Sequence, residues 1–568
     1  MPEVAAPQPP WSRVLRWNAR FSAPWLTLFA VIGLVLEAPG GQAAPKPTKV
    51  AVATENALAS REAMAELDAG GNAIDAIVRA VLVSGVASPS SSGLGGGGFA
   101  LIWRAATHEP FVLDFRETAP TAIDAAAFET RPFKPEERAR ATGVPGELAG
   151  LFELQHEFGK RRWQDVVTPA ARIAQHGFPV NPHLASILSS PWAKVAATDP
   201  GIASVFFPGG HALAANKQTK NPKLARTLSQ LAAQGKVPFY EGEIGQDLVA
   251  AARDKGGALS ADDLRNYHTE RRTPLHLTWE GYEIYTMPPP SAGGILLGET
   301  LGMFSKAELA KLSLNSGAYE HTLAEAMRGA LSDRVRFLGD PAFEKVDSSA
   351  LLSPQRLSQR KRRISSERTH ALPRFEENEH GTHHLIVVDA EGNVASITTT
   401  VNTAFGAKLS GKNSGVVLND ELDDFTKQSD VAPFGLTQSP NRPRPGARPV
   451  SSMTPALVVK DGKVVFALGG SGGQLIATNV TELLLARLAF NLSPDELVKL
   501  PRFAVPMAGP SLLVESGAPK SLLDDLSWRG EVVQEMKQNP SAVQVVAIDE
   551  TGVTAAADPR KFGSALVK

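Results

Sequence analysis

Residues 382–406 decide the fold, and they read THHLIVVDAEGNVASITTTVNTAFG. Apolar and polar residues alternate on both sides of a short turn at residues 390–392, which is the pattern of a β-hairpin. A glycine at the third position of the turn suits a hairpin with a bulge. Thr382 and Thr400 each lie nine residues from Glu391, so we expect them to face each other across the two strands.

A second hairpin is predicted further along the chain. Asp461 and Gly462 stand between two apolar runs, and this dipeptide is a strong hairpin signal. Counting outward from it places Ser451 opposite Gly472, at one open end of a sheet. A helix predicted over residues 476–490 begins just after the glycines, where free backbone N–H groups favour a negative charge.

Thr382 is the candidate nucleophile. An internal threonine hydroxyl is a weak nucleophile, and Thr382 taken alone would be an ordinary strand residue. If the bond between Gly381 and Thr382 is cut, however, Thr382 becomes N-terminal and its own α-amine can serve as general base. An α-amino pKa of about 7.7–8.0 leaves part of the population neutral near neutral pH.

Two glycine-rich motifs indicate other chemistry but stand in the wrong context. Residues 93–98 satisfy a dinucleotide-binding G-x-G-x-x-G pattern, yet a helix is predicted before them and a strand after them, the reverse of the required order. Residues 469–473 contain the G-x-S-x-G of serine hydrolases. An α/β-hydrolase needs a histidine after that serine, and the last histidine of the chain is His384. The second motif is therefore predicted to present N–H groups to an oxyanion.

A histidine cluster surrounds the proposed cleavage point, at His380, His383 and His384. A metal site there would need further ligands in a settled geometry, whereas the charged stretch before it, residues 353–378, is predicted to be exposed and mobile. We therefore expect no metal. His384 is expected to pack inside the strand, on the same face as Thr382, because side chains alternate with period two.

Composition excludes several classes of function. The chain has 568 residues, of which 43% are hydrophobic and 21% charged, as in ordinary globular proteins. A formal net charge of −1 gives no support for nucleic-acid binding, which requires a strongly basic face. Because the chain contains no cysteine, disulfides, thiolate metal sites and a cysteine nucleophile are excluded.

The N-terminus has the features of an export signal. Three arginines precede an apolar run at residues 25–36, and small residues follow near Ala43. The run is shorter than the ~20 residues of a membrane-spanning helix. Residues 1–44 are therefore predicted to be a signal peptide and linker, and the protein to be periplasmic or extracellular. An uncleaved N-terminal anchor is the alternative.

Ten motifs, in order along the chain, carry a family resemblance. They are GLGGGGF (93–99), DFRETAP (114–120), GVPGELAGL (143–151), MPPPSAGG (287–294), DRVRFLGDP (333–341), the hairpin stretch 382–406, GVVLNDELDDF (415–425), RPVSSMTP (448–455), GGSGGQ (469–474) and DPR (558–560). On these motifs the chain resembles the γ-glutamyltranspeptidases (glutathione hydrolases) of the N-terminal-nucleophile hydrolase superfamily.

The resemblance implies a fold and a domain organisation. The fold would be α+β, a four-layer αββα sandwich built from one precursor that cleaves itself. The large subunit would span residues 45–381 and the small subunit residues 382–568, and the two would remain associated as a heterodimer.

The resemblance also implies roles for individual residues. Thr382 would be the nucleophile, Thr400 its hydrogen-bonding partner, and Gly472 and Gly473 the oxyanion-hole amides. Further residues would hold or cover the γ-glutamyl group: Arg116, Ser451 and Ser452 on its α-carboxylate, Asn402, Glu421 and Asp424 on its α-amino group, and Phe434 in a lid over the pocket formed by residues 431–447.

The implied activity is transfer of a γ-glutamyl group through an acyl-enzyme on Thr382. Donors would be glutathione and other γ-glutamyl compounds, and acceptors would be water, amino acids or dipeptides, with no cofactor. Two alternatives stay open. One is a related acylase, acting on a glutaryl β-lactam or on poly-γ-glutamate, and the other is an unprocessed, non-catalytic binding protein on the same scaffold.

Overall fold

Two antiparallel sheets form the centre of the fold. The computed structural model describes residues 49–191, 193–373, 381–507 and 509–568. In the described part of the chain, seven strands form the first sheet, here in spatial order: β18 (Ser564–Val567), β1 (Ala51–Thr54), β9 (Gly381–Val388), β10 (Val394–Asn402), β2 (Gly97–Arg104), β3 (Glu109–Asp114) and β6 (Glu270–Arg272).

The second sheet has six strands in the same described residues. In spatial order they are β17 (Gly552–Ala556), β16 (Ala542–Asp549), β12 (Lys463–Ser471), β11 (Ala456–Lys460), β8 (Tyr282–Thr286) and β7 (Leu275–Trp279). Five further strands form two small sheets: β4 (Phe178–Pro179), β5 (Gln218–Thr219), β13 (Phe503–Ala504), β14 (Ser511–Glu515) and β15 (Val532–Met536).

Helices cover the outer face of each sheet. Those packed with the first sheet are α1 (Ala57–Asp68), α2 (Ala73–Ala87), α3 (Glu147–Phe158), α4 (Trp163–His176), α5 (Pro182–Leu188), α6 (Ala193–Ala196), α7 (Pro200–Phe206), α8 (Pro222–Gln234), α9 (Val237–Tyr240), α10 (Glu243–Arg253) and α11 (Ala261–Arg265). The others are α12 (Gly293–Met303), α13 (Lys306–Leu312), α14 (Gly317–Phe337), α15 (Ser348–Leu351), α16 (Pro354–Lys361), α17 (Gln428–Val431), α18 (Leu475–Phe490), α19 (Pro494–Lys499) and α20 (Lys520–Trp528). No described helix combines the length and the apolar character needed to cross a bilayer.

Alternate residues of β9 belong to two different hydrophobic clusters. Ile386 and Val388 pack in the cluster that contains the second sheet and α12, α14 and α18. Leu385 and Val387 pack in the cluster that contains α1, α2 and α4. Since β9 is buried on both faces, the first sheet is sandwiched between helices and the second sheet, and helices cover the second sheet in turn. The predicted four-layer αββα architecture is confirmed.

The β9–β10 hairpin has the predicted register. Thr382 lies opposite Thr400, and the ladder continues without interruption from there to Val388 opposite Val394. The register shifts between Thr400 and Asn402, so that Asn402 pairs with Gly381. The hairpin prediction is confirmed, and the irregularity lies at the end that carries Thr382.

The register predicted for the second hairpin was wrong. A bulge between Val458 and Val459 shifts the pairing by one residue, so Ala456 lies opposite Leu468 and the ladder ends there. Ser451 does not pair with Gly472; it forms an isolated bridge with Ser291 instead. Counting outward from a turn cannot detect a bulge, because the extra residue leaves the apolar pattern of a doubly buried strand unchanged.

The charged stretch before the cleavage point is more ordered than predicted. Residues 354–361 form α16, and Arg360 reaches the buried carboxylates of Glu299 and Asp333. The chain then runs on to Leu372, which bridges to Gly509. Ion pairing that a sequence pattern cannot show therefore holds this stretch down to Leu372.

Replacing Gly469 by alanine should destabilise the contact between the sheets. A Cβ atom there would lie 2.2 Å from Cε1 and 2.3 Å from Nε2 of His384, which points from β9 toward β12. We expect Gly469→Ala to lower the free energy of unfolding by ~1–3 kcal/mol, the usual cost of overpacking a core. Urea unfolding of Gly469→Ala and of Gly469→Ala/His384→Ala would measure this, and the double variant should recover part of the loss. Unchanged stability of the single variant would contradict the contact.

Candidate active site

Thr382 and Thr400 meet at the end of the first sheet, and both are buried. Their hydroxyl oxygens lie 3.4 Å apart. The Thr400 hydroxyl donates a 2.9 Å hydrogen bond to the carbonyl oxygen of Gly381 and accepts one of 2.8 Å from the backbone N–H of Asn402. Thr400 therefore contacts both the candidate nucleophile and the carbonyl of the peptide bond proposed to be cut.

Gly381 fits its position because it lacks a side chain. A Cβ atom there would lie 2.6–2.8 Å from the backbone oxygens of Asn402, Thr403 and Ser90. Backbone atoms cannot move aside as the end of a flexible side chain can. The close packing therefore holds the Gly381 carbonyl rigidly against Thr400.

The glycine pair lies in the turn that leads from β12 to α18. Gly472 has a φ of +119° and Gly473 a φ of +64°, conformations that side chains rarely adopt. A Cβ atom on Gly472 would lie 2.4 Å from Cα of Ser541. Ser471, the residue before this pair, contacts the buried ammonium group of Lys561, whose Nζ also lies 3.3 Å from the carbonyl oxygen of Thr382.

The two histidines after Thr382 are buried, and burial lowers the pKa of each. Nδ1 of His384 is 2.8 Å from the hydroxyl of Thr398, and burial lowers the pKa of His384 to about 3. His384 thus packs inside the sheets on the face that Thr382 shares, as predicted. Burial, followed by the Lys561 charge, lowers the pKa of His383 well below its usual range. His380 lies outside the described residues, and within those residues no group of three acidic or histidine side chains could hold a metal ion.

The predicted clamp residues come together beneath this site. Arg116 forms ion pairs with Glu421 and Asp424, both on the 3₁₀ turn Glu421–Asp424, and donates a 2.9 Å hydrogen bond to the carbonyl oxygen of Pro449. The Asn402 side chain donates a 3.0 Å bond to the carbonyl oxygen of Asp420, the residue before that turn. Residues distant in sequence thus form one buried charged cluster.

Two acceptor atoms of the clamp have no partner among the described residues. They are Oδ1 of Asn402 and Oε2 of Glu421, and both are buried. Burial raises the pKa of Glu421, and the Arg116 charge opposes that rise. A buried acceptor without a donor is unfavourable by ~1–3 kcal/mol, so both atoms are suited to accept hydrogen bonds from an ammonium group.

The serine pair stands in a turn supported from both sides. Ser451 accepts a 3.1 Å hydrogen bond from the N–H of Met453, and the Ser291 hydroxyl donates one of 2.7 Å to the Met453 carbonyl. Ser452 contacts the guanidinium of Arg334 on α14. The MPPPSAGG motif, which contains Ser291, and the DRVRFLGDP motif, which contains Arg334, therefore shape this turn.

Phe434 and the predicted lid segment lie next to the clamp. Phe434 is buried in the same hydrophobic cluster as Val431 and Met453. Asn441, in the same segment, donates a 2.7 Å hydrogen bond to the carbonyl oxygen of Asp424 and accepts one of 2.9 Å from the N–H of Val450. The segment is thus fastened to both halves of the clamp.

A cavity of about 540 Å³ opens beside the glycine turn. Its lining includes Gly472, Lys561 and Thr403 near the site and Phe133 and Ile187 farther out. Gly472 and Lys561 thus border both the nucleophile region and a space large enough for a second molecule.

Comparison with known proteins gives a consistent result. The family model for gamma-glutamyltranspeptidase matches residues 59–567. The chain belongs to the gamma-glutamyltranspeptidase family.

Individual relatives of this family agree with the assignment. The chain is 37% identical to glutathione hydrolase 2 of Arabidopsis thaliana, over 80% of this chain and 79% of the relative. It is 34% identical to the glutathione hydrolase proenzyme of Pseudomonas aeruginosa, over 91% of this chain and 94% of the relative. The solved structure of a cephalosporin acylase from Bacillus halodurans has a TM-score of 0.81 at 24% identity, covering 94% of this chain and 99% of that one, and this likeness shows the fold.

Three residues of this gamma-glutamyltranspeptidase site were missed from the sequence. Glu55 lies within residues 51–86, which the sequence pattern predicts to be helical, although residues 51–54 form β1, which ends one residue before it. Lys561 follows the DPR motif and Arg334 lies within DRVRFLGDP, so their motifs were recognised but not their side-chain partners. For Arg334 and Lys561 the available signal was a position in or next to a motif, whereas Glu55 lies outside all ten motifs.

Replacing Thr400 by valine should slow cleavage after Gly381. Valine keeps the shape but removes the hydroxyl that binds the Gly381 carbonyl, and loss of one such donor reduces a rate ~100–1,000-fold. We expect the uncleaved chain to accumulate in Thr400→Val, measured by gel electrophoresis over time after synthesis. Thr400→Ser keeps the hydroxyl and serves as the control, since it should cleave far faster than the valine variant. Equal cleavage by the two would contradict this role.

Proposed function

We propose that this chain cuts itself between Gly381 and Thr382, and that the freed Thr382 transfers γ-glutamyl groups from glutathione and similar amides. The observation that carries the proposal is the contact of Thr400 with both Thr382 and the Gly381 carbonyl, next to a buried clamp with unpartnered acceptors. Family membership supports the same chemistry.

Self-cleavage begins with attack of the Thr382 hydroxyl on the Gly381 carbonyl carbon. The Thr400 hydroxyl stabilises the negative charge that develops on the carbonyl oxygen. The C–N bond breaks as the nitrogen takes up a proton, which leaves an ester between Gly381 and Thr382. Water then hydrolyses the ester, giving a carboxylate on Gly381 and a free α-amine on Thr382.

The proposed large and small subunits share one sheet, which should keep them associated after cleavage. In the first sheet β1, from the proposed large subunit 45–381, lies between β9 and β18, both from the proposed small subunit 382–568. The sheet interleaves again where β10 pairs with β2. Separation would expose strands that are buried on both faces, so we expect a stable heterodimer.

Transfer uses the freed α-amine as general base. The Thr382 hydroxyl gives its proton to the α-amine and attacks the γ-carbonyl of the donor, and Gly472 and Gly473 hold the oxyanion with their N–H groups. The C–N bond of the donor amide then breaks as its nitrogen takes up that proton, which leaves the γ-glutamyl group as an ester on Thr382. Arg116, with the serine pair 451–452, holds the α-carboxylate. Asn402, Glu421 and Asp424 hold the α-ammonium group.

The acyl-enzyme is then resolved by a second nucleophile. Water releases glutamate, and an amino acid or dipeptide amine takes the γ-glutamyl group instead. The cavity beside Gly472 supports this step, since it offers space next to the oxyanion turn. Phe434 and its segment, fastened by Asn441, would limit access of water to the acyl-enzyme.

We further propose that the protein acts outside the cytoplasm. The support is the basic and then apolar composition of residues 1–44, which lie outside the described residues.

Two observations decide between this function and its alternatives. N-terminal sequencing of the purified protein should find a fragment that begins Thr-His-His-Leu, whereas the non-catalytic alternative predicts one intact chain. Rates on γ-glutamyl and glutaryl anilides should favour the γ-glutamyl compound, because the clamp acceptors need an ammonium group. A preference for the glutaryl compound would favour the acylase alternative.

Replacing Asp424 by asparagine should weaken γ-glutamyl binding selectively. Loss of a charge-assisted hydrogen bond worth ~1.5–3 kcal/mol raises KM for the γ-glutamyl anilide about 10–100-fold. The preference over the glutaryl anilide should narrow, a change that mere loss of folded protein would not produce. Asp524→Asn, on the exposed face of α20, is the control and should keep the wild-type preference. An unchanged preference in Asp424→Asn would contradict the assignment.

A further inference from the structure

A buried ammonium group lies beside Thr382. Nζ of Lys561, in the 3₁₀ turn Pro559–Lys561, is 3.3 Å from the carbonyl oxygen of Thr382 and 3.4 Å from Oε2 of Glu55, and it also contacts Oγ of Ser471. Lys561 is only 3% exposed. An ammonium group has three N–H donors, and here each has an acceptor, so the group is satisfied in its charged form.

Glu55 completes this arrangement from the beginning of the described chain. Its Oε1 accepts a 3.0 Å hydrogen bond from the backbone N–H of His384, and its Oε2 faces Lys561. Burial raises the pKa of Glu55, and the Lys561 charge opposes that rise. A buried charge is tolerated when it is paired, so each of the two ionised groups depends on the other.

The other titratable groups around the pair are histidines whose pKa values are lowered and an arginine that is paired with other carboxylates. From α5, burial and then Lys561 lower the pKa of His183 to about 3. From β9, His383 and His384 also have pKa values far below their usual range because they are buried. From the same turn as Lys561, Arg560 is engaged by Glu515 and Asp558. Glu55 and Lys561 contact the backbone of β9 directly, at His384 and Thr382. The charged groups of the clamp, Arg116, Glu421 and Asp424, pair with one another.

The pair also joins two elements of the proposed mechanism. Thr382 begins the small subunit in the first sheet, whereas Ser471 ends β12 in the second sheet, immediately before the oxyanion glycine Gly472. Lys561 contacts both, so one side chain fixes the nucleophile residue against the glycine turn. No sheet hydrogen bond of the described residues connects these two strands.

We infer that Glu55 and Lys561 act as a positioning pair, which holds Thr382 against the glycine turn and sets the proton affinity of its freed α-amine. The inference rests on the proposed function, in which that amine is the general base. The ammonium of Lys561 disfavours a second positive charge on Thr382 and so keeps the amine neutral. The carboxylate of Glu55 moderates this effect.

Opposite changes of the pH profile test the pair. Lys561→Met removes the cation, so the α-amine should bind its proton more tightly and the acid limb of kcat/KM should move to higher pH. Glu55→Gln removes the anion and keeps the cation, so the limb should move to lower pH. At an effective dielectric constant of about 20, we expect each shift to be about one pH unit.

The measurement is hydrolysis of a γ-glutamyl anilide across the pH range by the self-cleaved protein. The double variant Glu55→Gln/Lys561→Met should return the acid limb close to its wild-type position, because the negative and the positive charge are removed together. Lys520→Met, at an exposed lysine of α20, should leave the profile unchanged. Opposite shifts would not arise from a loss of packing, which would lower the rate at every pH.

Each result separates this inference from the proposed function. Wild-type protein that releases no product from the γ-glutamyl anilide would overturn the proposed function. Wild-type turnover with both single variants shifted the same way, or neither shifted, would overturn the role of the pair alone. If Lys561→Met leaves too little folded protein, Glu55→Gln decides by itself. In that variant, an acid limb of kcat/KM that keeps its position or moves to higher pH would overturn the inference.

Discussion

The antiparallel ladder between β9 and β10 is the constraint on which the rest of the site depends. Its register sets Thr382 opposite Thr400 and ends in an irregularity, so that Asn402 pairs with Gly381. From that end Thr400 can contact the Thr382 hydroxyl, the Gly381 carbonyl and the Asn402 N–H together. A shift of the register by one residue would turn every side chain of the strand to the opposite face, and these contacts would be lost. Burial of both faces of β9 makes such a slip very unfavourable.

Burial also decides the electrostatics. The clamp, the Glu55–Lys561 pair and the two histidines all lie in the interior, where charges interact strongly and unpaired groups are costly. Arg116 therefore pairs with Glu421 and Asp424, and burial lowers the pKa values of both histidines. The same environment suits the clamp to the proposed zwitterionic amino-acid group, which offers one cation and one anion.

Much of the fold and of the candidate site could be predicted from the sequence. The first hairpin could be counted because a turn signal and two alternating strands define a register locally. The second hairpin could not, since the bulge at Val458 and Val459 is set by packing on its neighbours β8 and β16. The stretch 353–378 looked mobile because the charges of its described part, residues 353–373, pair with side chains of α12, α13 and α14 that are distant in sequence.

What the sequence by itself determined is therefore the family and the sandwich of layers, and it singled out Thr382, Thr400 and the clamp residues as candidates, because each is recorded in a local motif or a period of two. Only the tertiary structure decided that Arg116 pairs with the two acidic residues, that Arg334 contacts Ser452, and that Glu55 and Lys561 meet beneath Thr382. Those partners lie between 118 and 506 residues apart, and no local pattern records which side chains share a buried space. Their distances follow from how the two sheets pack, which is a property of the whole chain.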